Sequence, residues 1–399
     1  MEYIRRQSYL DEIRKFIDKP IIKILTGMRR VGKSTILKMI NEDILKDIPS
    51  EDKIYINFEN LDFLSIRSSI SFAEYLKPFL QTNHKLYFFF DEIQVVSHWE
   101  EVVNGLQADY HCDIYITGSN SSMLSGNLST LLAGRYVNFT ILPFTFSEFI
   151  ECYKNLSLSK QEYFQKFITL GGIPAVRHLE LDENPTLKYL EDIYNTVLVK
   201  DVLEYHKIRD IDIYNRILLY ACENIGHTFS ALSIRNYLKS EGRNVSVDSI
   251  LNYLNYCQDA YIIKKVPRYD FLGKKILKVE EKYFLNDHGF RQAKGFSNSK
   301  DIERVLENIV YIELLKRGYS VYIGKVNDKE IDFIASKNGE YAYYQVCYLL
   351  ANEVTRQREF DVYHNINDNY PKYVLSMDDI DFSQNGYIHK NIIQWLLEK

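Results

Sequence analysis

Gly27-Met28-Arg29-Arg30-Val31-Gly32-Lys33-Ser34 is the stretch that decides the fold. It satisfies the pattern G-x-x-x-x-G-K-[ST] at every fixed position. Its flanks match. Ile21-Ile22-Lys23-Ile24-Leu25 is a short apolar run of strand character, and Thr35-Ile36-Leu37-Lys38-Met39-Ile40 opens a helical pattern. A strand, a glycine loop and a helix offer backbone N–H groups and a helix N-terminus to phosphate. Gly27 and Gly32 permit backbone conformations closed to other residues. Lys33 is the candidate for the β- and γ-phosphates, Ser34 for Mg²⁺, and Thr35 completes the cradle. Arg29 and Arg30 lie inside the loop, where they suit phosphate, acidic neighbours or a second protomer. An ordinary glycine turn before a helix would not require both flanks.

The second half of a nucleotide site lies about sixty residues on, where a P-loop protein places it. Leu86-Tyr87-Phe88-Phe89-Phe90-Asp91-Glu92 is an apolar run ending in two acids. A buried parallel strand delivers such carboxylates at the carboxyl edge of its sheet, beside the loop. Asp91 is the candidate for Mg²⁺, and Glu92 for orienting and polarising the attacking water. Cys112 to Thr117 reads as the next strand and ends in Gly118-Ser119-Asn120. Ser119 and Asn120 are equal candidates to contact the γ-phosphate or the water, and a simple turn fits the same residues. Residues 121–133 read as a short helix. Gly134-Arg135-Tyr136 precedes a further strand, Val137 to Ile141, closed by Pro143. Arg135 is the candidate transition-state arginine, in cis or from a neighbour; a surface or helix-capping arginine fits as well. With Lys53 to Phe58 as another strand, the pattern predicts an α/β fold with a doubly wound parallel sheet.

Composition narrows the class. The chain has 399 residues, 46% hydrophobic and 26% charged, which suits two or three globular domains. A net charge of −5 excludes a general polyanion binder, so any nucleic-acid surface is local. Five scattered cysteines without a C-x-x-C pair argue against a disulfide framework or zinc site and fit a reducing cytoplasm. No apolar run approaches the roughly 20 residues of a membrane span, and residues 3–19 read as a charged amphipathic helix ending at Pro20.

Beyond the nucleotide core at 1–145, three segments are expected. Residues 146–208 read as a helical lid, broken at Gly171-Gly172-Ile173-Pro174. Residues 209–295 read as a winged helix-turn-helix, with helices at 213–224, 230–240 and 246–258 and a two-stranded wing. From 231 to 282 there are ten Lys/Arg and six Asp/Glu, a local +4. The wing carries Lys264, Lys265, Arg268, Lys274, Lys275 and Lys278, which makes double-stranded DNA one candidate partner and a packed protein the other. Residues 296–399 read as a metal-nuclease-like α/β domain. Glu307 stands on a helix stripe, Asp332 on a strand, and Gln345-Val346-Cys347 where an E-x-K strand is expected. Gln345 has a neutral oxygen for a metal, but Cys347 cannot replace the lysine, so the expectation is a degenerate centre without cleavage.

The order of the P-loop, Asp91-Glu92, Thr117-Gly118-Ser119, Gly134-Arg135 and Leu142-Pro143-Phe144 resembles prokaryotic AAA-type ATPases. These carry a C-terminal domain of unknown function built from a winged helix and a restriction-endonuclease-like fold. The resemblance implies ATP binding and hydrolysis, and no known substrate. With Mg²⁺ at Ser34 and Asp91, the expectation is an ATP hydrolase whose cycle repositions the C-terminal half, with DNA as one candidate partner of that half. A low-turnover switch or scaffold for a protein partner, and an ATP-gated nuclease, are the alternatives. An oligomer and a cytoplasmic location complete the expectation.

Overall fold

The computed structural model describes residues 3–121, 132, 134–203, 206, 208, 210–270, 275–326 and 329–398, with backbone alone at 200, 270 and 275–280. Two compact units divide the chain: residues 1–142 with 259–261, and residues 143–258 with 262–399. The lid segment, the three-helix segment and the C-terminal segment thus share one unit. All of the expected helix at 121–133 except residues 121 and 132, the turn at Gly273, and Lys274 lie outside the described residues.

The first unit is built on five parallel strands: β1 (Ile22–Thr26), β2 (Lys53–Asn57), β3 (Leu86–Asp91), β4 (Cys112–Gly118) and β5 (Tyr136–Thr140). Their order in the sheet is β2-β3-β4-β1-β5. β1 and β3 are buried along their whole length, which explains their largely apolar sequences, broken in β1 by Lys23. Phe58, Phe72, Phe88 and Phe90 form the centre of the core, with Phe72 edge-on to both Phe58 and Phe90. The expected helix at 3–19 is shorter, Gln7–Arg14. A buried ion pair between Lys23 on β1 and Asp113 on β4 is completed by the Tyr115 hydroxyl, which donates to Asp113 Oδ2 at 2.9 Å. A lysine inside an apolar strand is tolerated because the neighbouring strand supplies its counter-charge.

In the second unit, serine and threonine caps start several of the helices. Thr145 with Glu148, Ser159 with Glu162 and Ser230 with Ser233 each form a reciprocal capping box, and each cap contributes about 1 kcal/mol. Helices Phe146–Cys152, Lys160–Leu170 and Glu183–Thr196 come first. The Gly171-Gly172 break is a close junction. Gly171 has φ +72°, and a Cβ there would lie 2.0 Å from Asp287 Oδ1. Gly172 N–H donates to the other oxygen of Asp287 at 2.7 Å. Helices Ile211–Glu223, Ala231–Ser240 and Val247–Asp259 then lead into the antiparallel pair β6 (Ile263–Asp270) and β7 (Lys275–Leu285).

That pair corrects one expectation. It is not a free two-stranded wing, because Arg268–Asp270 of β6 pair in parallel with Ile323–Lys325 of β8 (Ser320–Val326). With β9 (Lys329–Lys337), β10 (Glu340–Val346), β11 (Lys372–Ser376) and β12 (Ile388–Asn391), the result is one seven-stranded mixed sheet, ordered β12-β11-β10-β9-β8-β6-β7. Helix Ile302–Lys316 packs on it, and Ile392–Leu397 is the expected final helix.

Candidate nucleotide site

Parallel strands align their carboxyl ends. β3, β4 and β1 are consecutive neighbours, so the segments leaving them meet at one edge. Leaving β1, Gly27 takes φ +141°, and a Cβ on it would lie 2.4 Å from the Ile141 carbonyl oxygen. Only glycine fits that approach. Arg30 (φ +70°) and Gly32 (φ +93°) take left-handed backbones and turn the chain into the helix that opens at Lys33. Lys33 is buried. Its Nζ donates to the Gly27 and Met28 carbonyls at 3.0 and 3.1 Å and lies 3.7 Å from Glu92 Oε1. Thr35 is half-buried on the first turn. Arg29 pairs with Glu59 at 3.3 Å, and Arg30 is exposed.

Asp91 ends β3 fully buried and gathers three hydroxyl donors. Ser34 Oγ reaches Oδ1 at 2.9 Å, Thr117 Oγ1 reaches Oδ1 at 2.6 Å, and Tyr55 OH reaches Oδ2 at 3.2 Å. Burial pushes the Asp91 carboxyl above the usual range, assisted by the Glu92 charge and opposed by the Thr117 and Ser34 donors. A serine hydroxyl and a carboxylate in contact form a hard oxygen set of the kind Mg²⁺ takes.

Glu92 has a left-handed backbone, φ +56° and ψ +46°, which turns its side chain back toward the loop. Its N–H donates to Thr117 Oγ1 at 2.9 Å. Gln94 Nε2 donates to Glu92 Oε2 at 2.5 Å and to Ser119 Oγ at 3.4 Å. Burial alone would raise the Glu92 pKa; the Lys33 ammonium and the Gln94 amide hold it below the usual range instead. Glu92 is therefore an ionised, buried carboxylate, the state required to orient water.

Lys33, Ser34, Asp91, Glu92 and Ser119 thus form one connected cluster, joined by Thr117, Tyr55 and Gln94, to which the sequence had assigned no role. Thr117 was legible as a polar residue closing an apolar strand. Tyr55 and Gln94 gave no signal, because each reaches the site from its own strand or turn. Asn120 is buried beside Ser119.

Arg135 is not in this cluster. It precedes β5, whose Tyr136 is in register with Ile22, so it stands at the opposite, amino edge of the sheet. It is exposed and donates to Asn104 Oδ1 at 2.6 Å. This placement sets it away from the phosphate loop of its own chain.

The second unit brings Glu307, Asp332 and Gln345 together as well. The Gln345 oxygen is not turned to a metal: it accepts the Asp332 N–H at 2.8 Å, while Nε2 donates to Glu359 at 2.9 Å. Among the described residues, no group of three or more His, Cys, Asp or Glu is arranged to hold a metal ion. The wing cations depart from a free basic face. Lys265 pairs with Glu281 at 3.1 Å and Arg268 with Glu330 at 3.3 Å, and burial lowers the Lys264 pKa to about 8. The side chains of Lys274, Lys275 and Lys278 lie outside the described residues. Among those residues, no helix is long and apolar enough to cross a membrane.

Residues 19–150 match the model of the AAA domain, and residues 161–300 match that of a domain of unknown function. An uncharacterized protein of Haemophilus influenzae is 34% identical over 99% of both chains. An uncharacterized protein of Methanocaldococcus jannaschii is 33% identical over 92% of this chain and 83% of its own. A Walker-type ATPase of Pyrococcus abyssi, 16% identical, superposes with a TM-score of 0.52 over 73% of this chain and 95% of that one, a likeness of fold. With its parallel sheet, its phosphate loop and relatives alike over most of their length, the chain belongs to a family of AAA-domain P-loop proteins that carry a C-terminal domain of unknown function.

Proposed function

We propose that the protein is a Mg²⁺-dependent ATP hydrolase whose nucleotide cycle acts through its second unit. The observation that carries this reading is the connected set Ser34–Asp91–Thr117–Glu92 beside the phosphate loop. The loop from Gly27 to Thr35 receives the phosphates, with Lys33 turning from the Gly27 and Met28 carbonyls to phosphate oxygen. Ser34 and Asp91 hold Mg²⁺, which when bound neutralises charge on the transferring phosphoryl group. Glu92, ionised and fixed by its backbone, orients water for in-line attack, with Ser119 or Asn120 steadying that water. Arg135, on the far edge, serves a neighbouring copy if it serves phosphate at all.

A second reading has its own support. Both Glu92 oxygens are engaged, one by Gln94 and one by Lys33. That is the geometry of a resting switch, which turns over only when a partner draws these groups apart. Steady-state hydrolysis with and without duplex DNA, with Glu92→Gln as the blank, separates the readings. Turnover raised by DNA assigns the three-helix segment and its hairpin to DNA. DNA-independent turnover assigns a protein partner. ATP binding without turnover selects the switch, and no ATP binding refutes both.

A further inference from the structure

The acidic centre of the C-terminal sheet already contains a cation, and it is covalent. Lys282, on β7, is 3% exposed and projects among carboxylates from two other elements. Its Nζ lies 2.8 Å from Glu330 Oε1, 3.2 Å from Glu307 Oε2 and 3.9 Å from Asp332 Oδ1. Glu330 and Asp332 come from β9, and Glu307 from helix Ile302–Lys316. Other polar groups around this core are engaged as well. Asp332 Oδ2 accepts the Val346 N–H at 2.9 Å, and Arg268 pairs with Glu330 at 3.3 Å. Glu359, beyond Gln345, is held by Arg358.

From this geometry we propose that Lys282 is the resident cation of the centre, its ammonium occupying the place a divalent ion would take between Glu307 and Asp332. A divalent ion needs oxygens at roughly 2.0–2.6 Å on all sides. An ammonium already within hydrogen-bonding reach of two of these carboxylates leaves no such volume. The charges support this. Burial drives the Lys282 pKa down, but the three carboxylates more than reverse that and keep it protonated. Burial and the neighbouring Glu307 push the Asp332 carboxyl above the usual carboxylate range, and the Lys282 ammonium opposes that rise. The missing E-x-K lysine is thus only part of why metal-dependent cleavage is not expected. The centre works as an ionic bolt, fastening β7 and the three-helix segment before it to β9 and helix Ile302–Lys316. The proposal is independent of the ATPase reading.

Mn²⁺ binding to the nucleotide-free full chain tests it, read by paramagnetic resonance and by the unfolding midpoint. Wild type and Asp332→Asn are expected to bind Mn²⁺ identically. Lys282→Met keeps an unbranched apolar stem of similar length but removes the ammonium. It is expected to melt lower than wild type, to regain stability in millimolar Mn²⁺, and to lose that regain when Asp332→Asn is added. Asp332-dependent Mn²⁺ binding by wild type would overturn the proposal. So would a folded Lys282→Met that gains no Asp332-dependent Mn²⁺ site. If Lys282→Met does not fold, the comparison of wild type with Asp332→Asn decides.

Discussion

Replacing Glu92 by Gln removes one charge and almost nothing else. Gln keeps the side-chain shape, and the backbone amide still donates to Thr117 Oγ1. Two consequences follow from the geometry. The first concerns binding. Glu92 Oε1 lies 3.7 Å from Lys33 Nζ, and at an effective dielectric of 20 the gross attraction is about 4–5 kcal/mol. Most of it is offset by the desolvation of two buried groups. A net of about 1.4 kcal/mol corresponds to tenfold in affinity, so Lys33, released from its competing anion, should bind ATP equally or up to about tenfold more tightly. The second concerns chemistry. A positioned carboxylate base contributes about 10²–10⁴-fold, so turnover should fall by that factor at saturating ATP. The assay pairs equilibrium binding of a fluorescent nucleotide with phosphate release under single-turnover conditions. Unchanged turnover would remove Glu92 from the mechanism. Weakened ATP binding would refute the electrostatic argument even if turnover fell.

Three other outcomes are expected. Thr117→Val keeps the β4 packing but strips one of three hydroxyl donors from Asp91, which keeps Ser34 and Tyr55, and the acceptor from the Glu92 N–H; orphaning that N–H costs about 1–3 kcal/mol, so denaturant unfolding should show a loss of that size, together with weaker Mg²⁺ dependence of turnover. Arg135→Ala should leave ATP affinity unchanged, since the residue stands at the opposite sheet edge; if it acts on a neighbour, turnover measured across protein concentration falls about 10³-fold only where chains associate, and an equal loss at full dilution would contradict the placement. His288 is buried against the Phe167 carbonyl, and burial holds its pKa below the ordinary value. In the unfolded chain it titrates near about 6.5, so the unfolded state binds the extra proton and stability falls as pH drops through that value, by up to about 1.4 kcal/mol per unit. Urea unfolding at pH 7.5 and 5.5 should show this slope, and His288→Gln should flatten it.

The sequence by itself determined the elements that are local. The P-loop, the apolar strand into Asp91-Glu92 and the capped helices each follow from a few neighbouring residues whose spacing allows one backbone solution. The glycine turn of the loop and a lysine opening a helix depend on short-range sterics, so they were visible without a fold, whereas the approach of Gly27 to the Ile141 carbonyl is made only by folding. Convergence of Ser34 and Asp91 followed too, because parallel strands share a carboxyl edge. The tertiary structure alone decided three matters. The edge on which Arg135 stands depends on strand direction and register, which place it away from the phosphate loop. The joining of β6 to β8 depends on backbone pairing between distant segments, whose hydrogen bonds leave no periodicity in the side chains. In the sequence Lys282 is only one of the basic residues counted between 231 and 282; only folding brings it among carboxylates from β9 and helix Ile302–Lys316, and the burial of opposite charges, a many-body effect, has no linear signature.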